Sequence, residues 1–444
     1  MKHQHATRFI RYFFGSAGLL LLLTGIFNLV VDPFSMFQLV TVEGFNEQKP
    51  EFSKHVRMVK AYAVRFQRPA GLILGSSRAE YGLDPEHPGW NAASRPVYNL
   101  ALPSGSIYEA LRYLQHAQAI HAIKQVVVAV DLFMFNADWQ KVEDFREDRL
   151  ATPASFDPNI GWLKDVATAL FSIDALRASQ KTIVSQGDSH YVAYLNNGAR
   201  DPLTNWNNIR FKGGHHAAFI SNERYSLTAP DGWALFSLGD TQVATQSPYE
   251  SFRNLLVFCR EHDITLYVLI SPIHARKLEI MWQLGLWDTF ENWKRALLNI
   301  IVADAALHPE ARPYPLWDFS GYNIITTESL PGLGDDTTQM QWYWEGSHYK
   351  KEVGDLMLDR VLKNQVNENS SLKSFGKRIT TEGIESHLQD IRSGHDAYRN
   401  SAAADIEEIK ILIRNTAAER DRLVKGEISA VLHGEVKPGV DSPR

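Results

Sequence analysis

The chain has 444 residues, is 44% hydrophobic and 22% charged, and carries a formal net charge of −5. These values exclude a disordered chain and give no electrostatic footprint for nucleic acid, and the length suits one large or two medium domains. A single cysteine, Cys259, excludes an internal disulfide and a cysteine-rich zinc site; in the run "LLVFCREH" it reads as a small buried hydrophobe.

Residues 12–31, "YFFGSAGLLLLLTGIFNLVV", carry no charge and are long enough to span a hydrocarbon core as a helix. Lys2, Arg8 and Arg11 precede the run and Asp32-Pro33 ends it. The positive flank places residues 1–11 in the cytoplasm and everything after Asp32 outside. A cleaved signal peptide is the rival reading, but it calls for a shorter apolar core and a small-x-small cleavage site. Residues 32–69 read as a stalk leading into an amphipathic helix around 50–66.

From residue 70 the rhythm changes. "GLILG" (71–75), "VYNLAL" (97–102), "QVVVAVDLF" (125–133), "ITLYVLIS" (264–271) and "YPLWDFS" (314–320) read as buried strands. Helical patterns at 107–122, 251–262, parts of 278–306 and 351–364 separate or follow them. This alternation predicts an α/β domain over 70–365, with a parallel sheet of about five strands and helices on both faces. Residues 134–245 break the rhythm and read as a polar, loop-rich insertion that shapes a substrate surface. Residues 366–444 read as a helical extension, a hairpin or a partner-binding tail, with flexible ends at "NENSS" and "VKPGVDSPR". The 11 tryptophans and 16 tyrosines either pack or, in loops, stack on sugar rings.

Ligands of an open parallel sheet bind beyond the carboxyl ends of its strands. Ser76, Ser77 and Arg78 follow the first strand, "PSGS" with Gly105 the second, Asp131 and Asn136 the third, and His274 and Arg276 the fourth. Glu345 and His348 stand just before the helix at 351–364. A serine hydroxyl needs a base to act as a nucleophile, and the base needs an acid to fix its tautomer. Ser77, His348 and Glu345 supply that set, with Asp318 as the reserve acid. The backbone N–H groups of Ser77 and Gly105 are the expected oxyanion donors, together with Asn136. Ser76 reads as a turn residue. Arg78 reads as the partner of an acidic residue or as a substrate contact, and His274 and Arg276 as pocket-lining or surface residues. The adjacent His215 and His216 lack the spacing of a zinc site, so neither metal nor cofactor is expected.

In this order, strand-"GSSR", strand-x-"PSG" and "EGSH" before a helix, the sequence resembles the SGNH (GDSL-like) esterases and acyltransferases. The likeness is nearest to their membrane-anchored branch, which includes alginate O-acetylation and teichoic-acid D-alanylation proteins. It spans roughly residues 70–365 and implies a three-layer, flavodoxin-like α/β/α fold with Ser77 as nucleophile, His348 as base, Glu345 as acid and Gly105 in the second block. Two positions differ from the family pattern. The acid is glutamate rather than aspartate, and the third block reads "AVDLFMFN", with Asp131 where the family offers a donor and Asn136 as the nearest substitute. The resemblance implies a bacterial inner-membrane protein facing the periplasm. It would move an acyl group, most simply acetyl, from a membrane-bound acyl exporter to a polysaccharide hydroxyl. A glycan esterase with the same triad, and a non-catalytic scaffold or sugar-binding protein on a degenerate fold, are the alternatives.

Overall fold

The apolar runs of the sequence fold as expected into strands, and their neighbours decide which way each strand faces. The computed structural model describes residues 2–137, 144–152, 158–188, 193–229, 232–233, 236–238, 247–363, 372–422 and 425. The chain opens with α1 (Lys2–Val31), which runs on past the expected span to Lys2. Its segment His5–Val31 has 27 residues and contains an 18-residue window of mean hydropathy 2.0, long and apolar enough to cross a membrane.

No loose stalk follows. Asp32 adopts a φ of 48°, and its carboxylate accepts the N–H groups of Met36, Phe37 and Gln38 at 2.7–3.1 Å. Asn46 Nδ2 and Lys49 Nζ donate to carbonyls at the end of α1, at Val30 and Val31. These are the carbonyls that a helix end leaves without partners, so the segment caps α1. Helix α2 (Val56–Gln67) then leads into the domain.

The core begins with β1 (Gly71–Gly75), α3 (Ser77–Gly82), β2 (Val97–Asn99), α4 (Ile107–Ile120) and β3 (Gln125–Val130). Helix α4 starts on a capping box, with Ser106 Oγ on the Glu109 N–H and the Glu109 carboxylate on the Ser106 N–H. The stretch expected as a loop-rich insertion holds helices α5 (Pro158–Phe171), α6 (Ile173–Val184), α7 (Pro202–Phe211) and α8 (His215–Thr228). Their starts carry ordinary signals, Ser172 before α6 and Asp201-Pro202 at α7. The apolar stripes of α7 and α8 are weak, which is why that part of the sequence reads as loop. Next come α9 (Pro248–Glu261), β4 (Thr265–Ile270), α10 (Ala275–Gln283), α11 (Trp287–Leu307), β5 (Leu316–Asp318) and α12 (Lys351–Leu362). The chain continues with β6 (Lys377–Arg378), α13 (Ile384–Ser401) and α14 (Ala403–Asn415).

Among the described residues six strands form one sheet, in the order β2-β1-β3-β4-β5-β6. The first five are parallel, and β6 runs antiparallel along Trp317 and Asp318. The sheet is therefore mixed, not purely parallel as expected. Its sixth strand is an exposed Lys-Arg pair from the C-terminal extension, too short and too polar to read as a strand. Alternate residues face opposite ways. Leu72, Leu74, Val126, Val128, Leu266 and Val268 pack with residues of α2, α4, α9 and α11, whereas Ile73, Val127, Ala129 and Leu269 pack with residues of α3 and α12. The extension also folds back: Arg276 on α10 pairs with Asp405 and Glu408 of α14, and His395 of α13 with Glu279. The ends "NENSS" and "VKPGVDSPR" lie outside the described residues. The chain leaves β1 for β2 on one side and reaches β3 on the other, so the crevice beyond β1 and β3 is the switch point where such sheets hold ligands.

Candidate active site

Gly75 closes β1 with a φ of 147°, and a Cβ there would stand 2.5 Å from the Ala129 carbonyl oxygen. Only glycine fits this exit. Ser76 then caps α3: its Oγ accepts the Arg78 N–H at 3.3 Å and donates to Asp131 Oδ2 at 2.7 Å. Ser77 is the first helical residue, so its N–H has no acceptor within the helix. Below it, buried Glu80 binds Lys60 at 2.8 Å and Arg200 at 3.0 Å. This network pins α3 to the neighbouring elements.

The facing wall is a tight turn before α12. The His348 N–H donates to the Glu345 carbonyl, and the Trp344 N–H donates back to the His348 carbonyl. The Ser347 N–H holds Glu345 Oε2 at 2.8 Å. Glu345 Oε1 meets His348 Nδ1 directly, and His348 Nε2 stands 2.7 Å from Ser77 Oγ. Tyr81 stacks on the imidazole, with ring centroids 4.3 Å apart. The three expected side chains, 271 positions apart at their extremes, are thus joined in one hydrogen-bonded line.

Electrostatics set the direction of that line. Burial raises the pKa of Glu345, but the charge and hydrogen bond of His348, the Lys277 ammonium and the Ser347 N–H together hold it down at about 2. An ionised carboxylate can only accept, so Nδ1 carries the proton and the Nε2 lone pair faces the Ser77 hydroxyl. That is the arrangement in which a serine proton can be taken.

Ser77 and His348 open into a cavity of about 130 Å³. Phe133, Tyr225 and Trp233 give it aromatic walls, and Ser104, Asn222 and Ser226 polar ones. Asn222, on α8 and in the cavity wall, accepts the Ser347 hydroxyl on Oδ1 at 3.1 Å, so its Nδ2 keeps its donor capacity. Lys277, fully buried on α10, lies beneath the turn: a Cβ on Gly346 would meet its Cγ at 2.8 Å. Its Nζ meets Ser226 Oγ and sits 4.7 Å from the Trp233 ring. Burial pushes its pKa down to about 8 against the pull of Glu345 and Glu223. Sequence reasoning missed Asn222, Lys277 and Tyr81. Tyr81, four residues after Ser77 on α3, was open to a helical-spacing argument; the other two had no local signal.

Other expectations are corrected. The Gly105 N–H donates to the Leu102 carbonyl at 3.0 Å and is spent there, so Gly105 serves close packing against Leu102 and the Gly75 carbonyl. Asn136 Oδ1 accepts the Ser237 N–H at 3.2 Å, and Asn136 is absent from the cavity wall among the described residues. His274 and Arg276 do not reach the cavity wall either. His274 caps α10 and hydrogen-bonds to the Glu328 carbonyl, and burial lowers its pKa to about 4. Arg276 is fully buried in a bidentate pair with Glu223. Arg78 does line the cavity, with Asp131 beside it at 3.3 Å. Asp131 itself is no oxyanion donor; it anchors Ser76 from below. Asp318, the reserve acid, is bound to Lys294 and His387 instead. His215 bonds to the Trp344 carbonyl and His216 to Glu408, and no group of three or more metal-type ligands occurs among the described residues. Neither protein-family models, nor curated proteins, nor solved structures yield a match to the chain.

Proposed function

We propose that the chain is a membrane-anchored serine acyltransferase of the SGNH type, with the three-layer arrangement of that family, working on a carbohydrate at the periplasmic face of the inner membrane. The observation that carries the reading is the line Glu345–His348–Ser77 opening on a cavity. Ser77 Oγ attacks the acyl carbonyl while His348 Nε2 takes its proton. The C–O or C–S bond to the leaving group then breaks, and the imidazolium returns the proton to that group. The product is an acyl ester on Ser77. In the second half a sugar hydroxyl gives its proton to Nε2, attacks the ester carbonyl and releases Ser77 Oγ, which regains the proton. In each half the oxyanion is met by the Ser77 N–H and by Asn222 Nδ2, each aimed from an element fixed before substrate arrives.

Aromatic rings beside hydroxyl and amide groups suit a sugar acceptor, whose ring has apolar faces and a polar edge. A membrane-bound acyl exporter would supply the donor, and α1 would hold the site near it. Fluorophosphonate labelling of the full chain with peptide mapping tests the reading. Label is expected on Ser77, absent in S77A and H348A. Labelling that survives H348A at the wild-type rate would overturn it. Sugar acceptors that shorten the life of the acyl-serine over water alone would separate transfer from hydrolysis.

A further inference from the structure

Helices α5 and α6 meet at one capping residue, Ser172, and this junction lies against α1 rather than near the cavity. A Cβ on Gly25 would stand 2.7 Å from Phe171 Cε1, so glycine is what lets the ring lie on the helix. Asn28 Nδ2 donates to the Leu170 carbonyl at 2.8 Å, and Ser179 Oγ donates to Asn28 Oδ1 at 2.8 Å. A polar side chain in the most apolar helix of the chain is thereby satisfied by this hairpin. Together with the Asn46 and Lys49 contacts at Val30 and Val31, the junction ties α1 to the domain as one packed unit.

The depth of the junction follows from helix geometry. At 1.5 Å per residue Gly25 lies about 21 Å from Arg11 along the axis, inside a hydrocarbon layer of about 30 Å that begins at Arg11. The same count puts the junction about 9 Å below Val31. Phe171 and Ile173 are 48% and 68% exposed there, and Leu23 and Ile26, which flank Gly25 in α1, are exposed too. Leu39, Val40 and Val42 are also exposed, and the Val40 carbonyl is bound by the same Asn46 that holds Val31. Asp174 and Arg177 approach each other at 3.7 Å just beyond Ile173, and their charges limit the immersed part of the junction to its tip, with α6 leading back toward the headgroups.

We propose that the α5–α6 junction is a membrane-contact element: Phe171 and Ile173 enter the outer leaflet beside α1, and the occupant of this apolar surface is lipid. The proposal rests on the reading of α1 as a membrane anchor. Its consequence is a fixed height and tilt of the Ser77 cavity over the bilayer, where a tethered domain would sample many.

The test uses the full chain reconstituted in vesicles of phosphatidylcholine and phosphatidylglycerol, with an environment-sensitive dye on I173C, L21C or V184C. Native Cys259 is fully buried and stays unlabelled. Val184 is 81% exposed at the far end of α6, about 16 Å from Ile173, and serves as the water-facing reference. The expected result is a blue shift and at least about twofold stronger quenching by shallow spin-labelled lipid at I173C than at V184C, with L21C quenched from greater depth. Quenching at L21C with none at I173C overturns the contact element and leaves the anchor standing. No quenching at L21C overturns the anchor reading itself. Equal quenching at I173C and V184C overturns the tip-first geometry.

Discussion

Among the described residues, three histidines hydrogen-bond to a buried carboxylate: His348 to Glu345, His387 to Asp318 and His395 to Glu279. The pairs look alike, and their surroundings separate them. The His348 side chain is 20% exposed and its second nitrogen reaches a serine hydroxyl at a cavity. Asp318 is shared between His387 and the ammonium of Lys294, and the carboxyl is held well below the usual range: burial raises it, but the Lys294 charge and the His387 hydrogen bond overcome that. His395 is 1% exposed and packs against the rings of Trp282 and Trp287, which also touch each other. An acid–histidine pair becomes a chemical device only where the far nitrogen meets a proton donor that substrate can reach. Without that it is a buried ion pair holding elements together.

The strongest way to break this comparison is to remove the far partner's base. H348A is expected to lower the fluorophosphonate labelling rate of Ser77 by about 10³-fold or more, whereas H387A leaves the rate per folded molecule unchanged. N222A comes next, with about 10²–10³-fold slower acylation, as for a lost oxyanion donor, against a stability loss of only about 1 kcal/mol from the Ser347 hydrogen bond. D318A reverses the pattern. It strands the fully buried Lys294 ammonium, and the urea midpoint should fall by the equivalent of about 3–5 kcal/mol, with labelling of the remaining folded protein intact.

A smaller effect sharpens the contrast with histidines that face no acid. His116 Nδ1 accepts the Ala151 N–H and its Nε2 donates to the Ala61 carbonyl; His274 is held likewise between the Arg276 N–H and the Glu328 carbonyl. Neither can take a second proton without losing an acceptor position, and burial lowers both pKa values to about 4. Unfolded histidine titrates near 6.5, so below that pH the unfolded state binds protons that the folded state refuses. Stability should therefore fall as pH drops from about 6.5 toward 4, by up to roughly 3 kcal/mol per histidine, readable as a shift in the denaturation midpoint. Glu345 works in a lower window. Its depressed pKa contributes stability that is complete above the unfolded carboxylate range and is lost only as pH falls toward about 2.

The sequence by itself determined the five parallel strands and the candidate residues Ser77, His348 and Glu345. Continuous apolar runs bounded by glycine read as buried strands, and Gly75 before Ser76-Ser77 marks a turn; that no side chain is tolerated there is decided by the approach of the Ala129 carbonyl. The acid-x-x-histidine spacing makes a short turn between Glu345 and His348 feasible. Tertiary structure alone decided the rest. Gly105 and Asn136 were plausible donors by position, but a backbone N–H serves whichever acceptor is nearest in space, and for Gly105 that is Leu102. His274 and Arg276 follow a strand as site residues do, yet their partners, Glu328, Glu223, Asp405 and Glu408, come from remote segments that local sequence does not connect. Asn222 and Lys277 reach the site for the same reason, from helices whose surroundings were unknown. The exposed Lys377-Arg378 pair joins the sheet because Trp317 and Asp318 offer it an edge. Helices α5 and α6 of the insertion find their apolar partner in α1, which lies far from them in the sequence. Periodicity and turn chemistry are local properties and can be read along the chain, whereas hydrogen-bond partners, burial and the walls of a cavity are set by whatever the fold brings alongside.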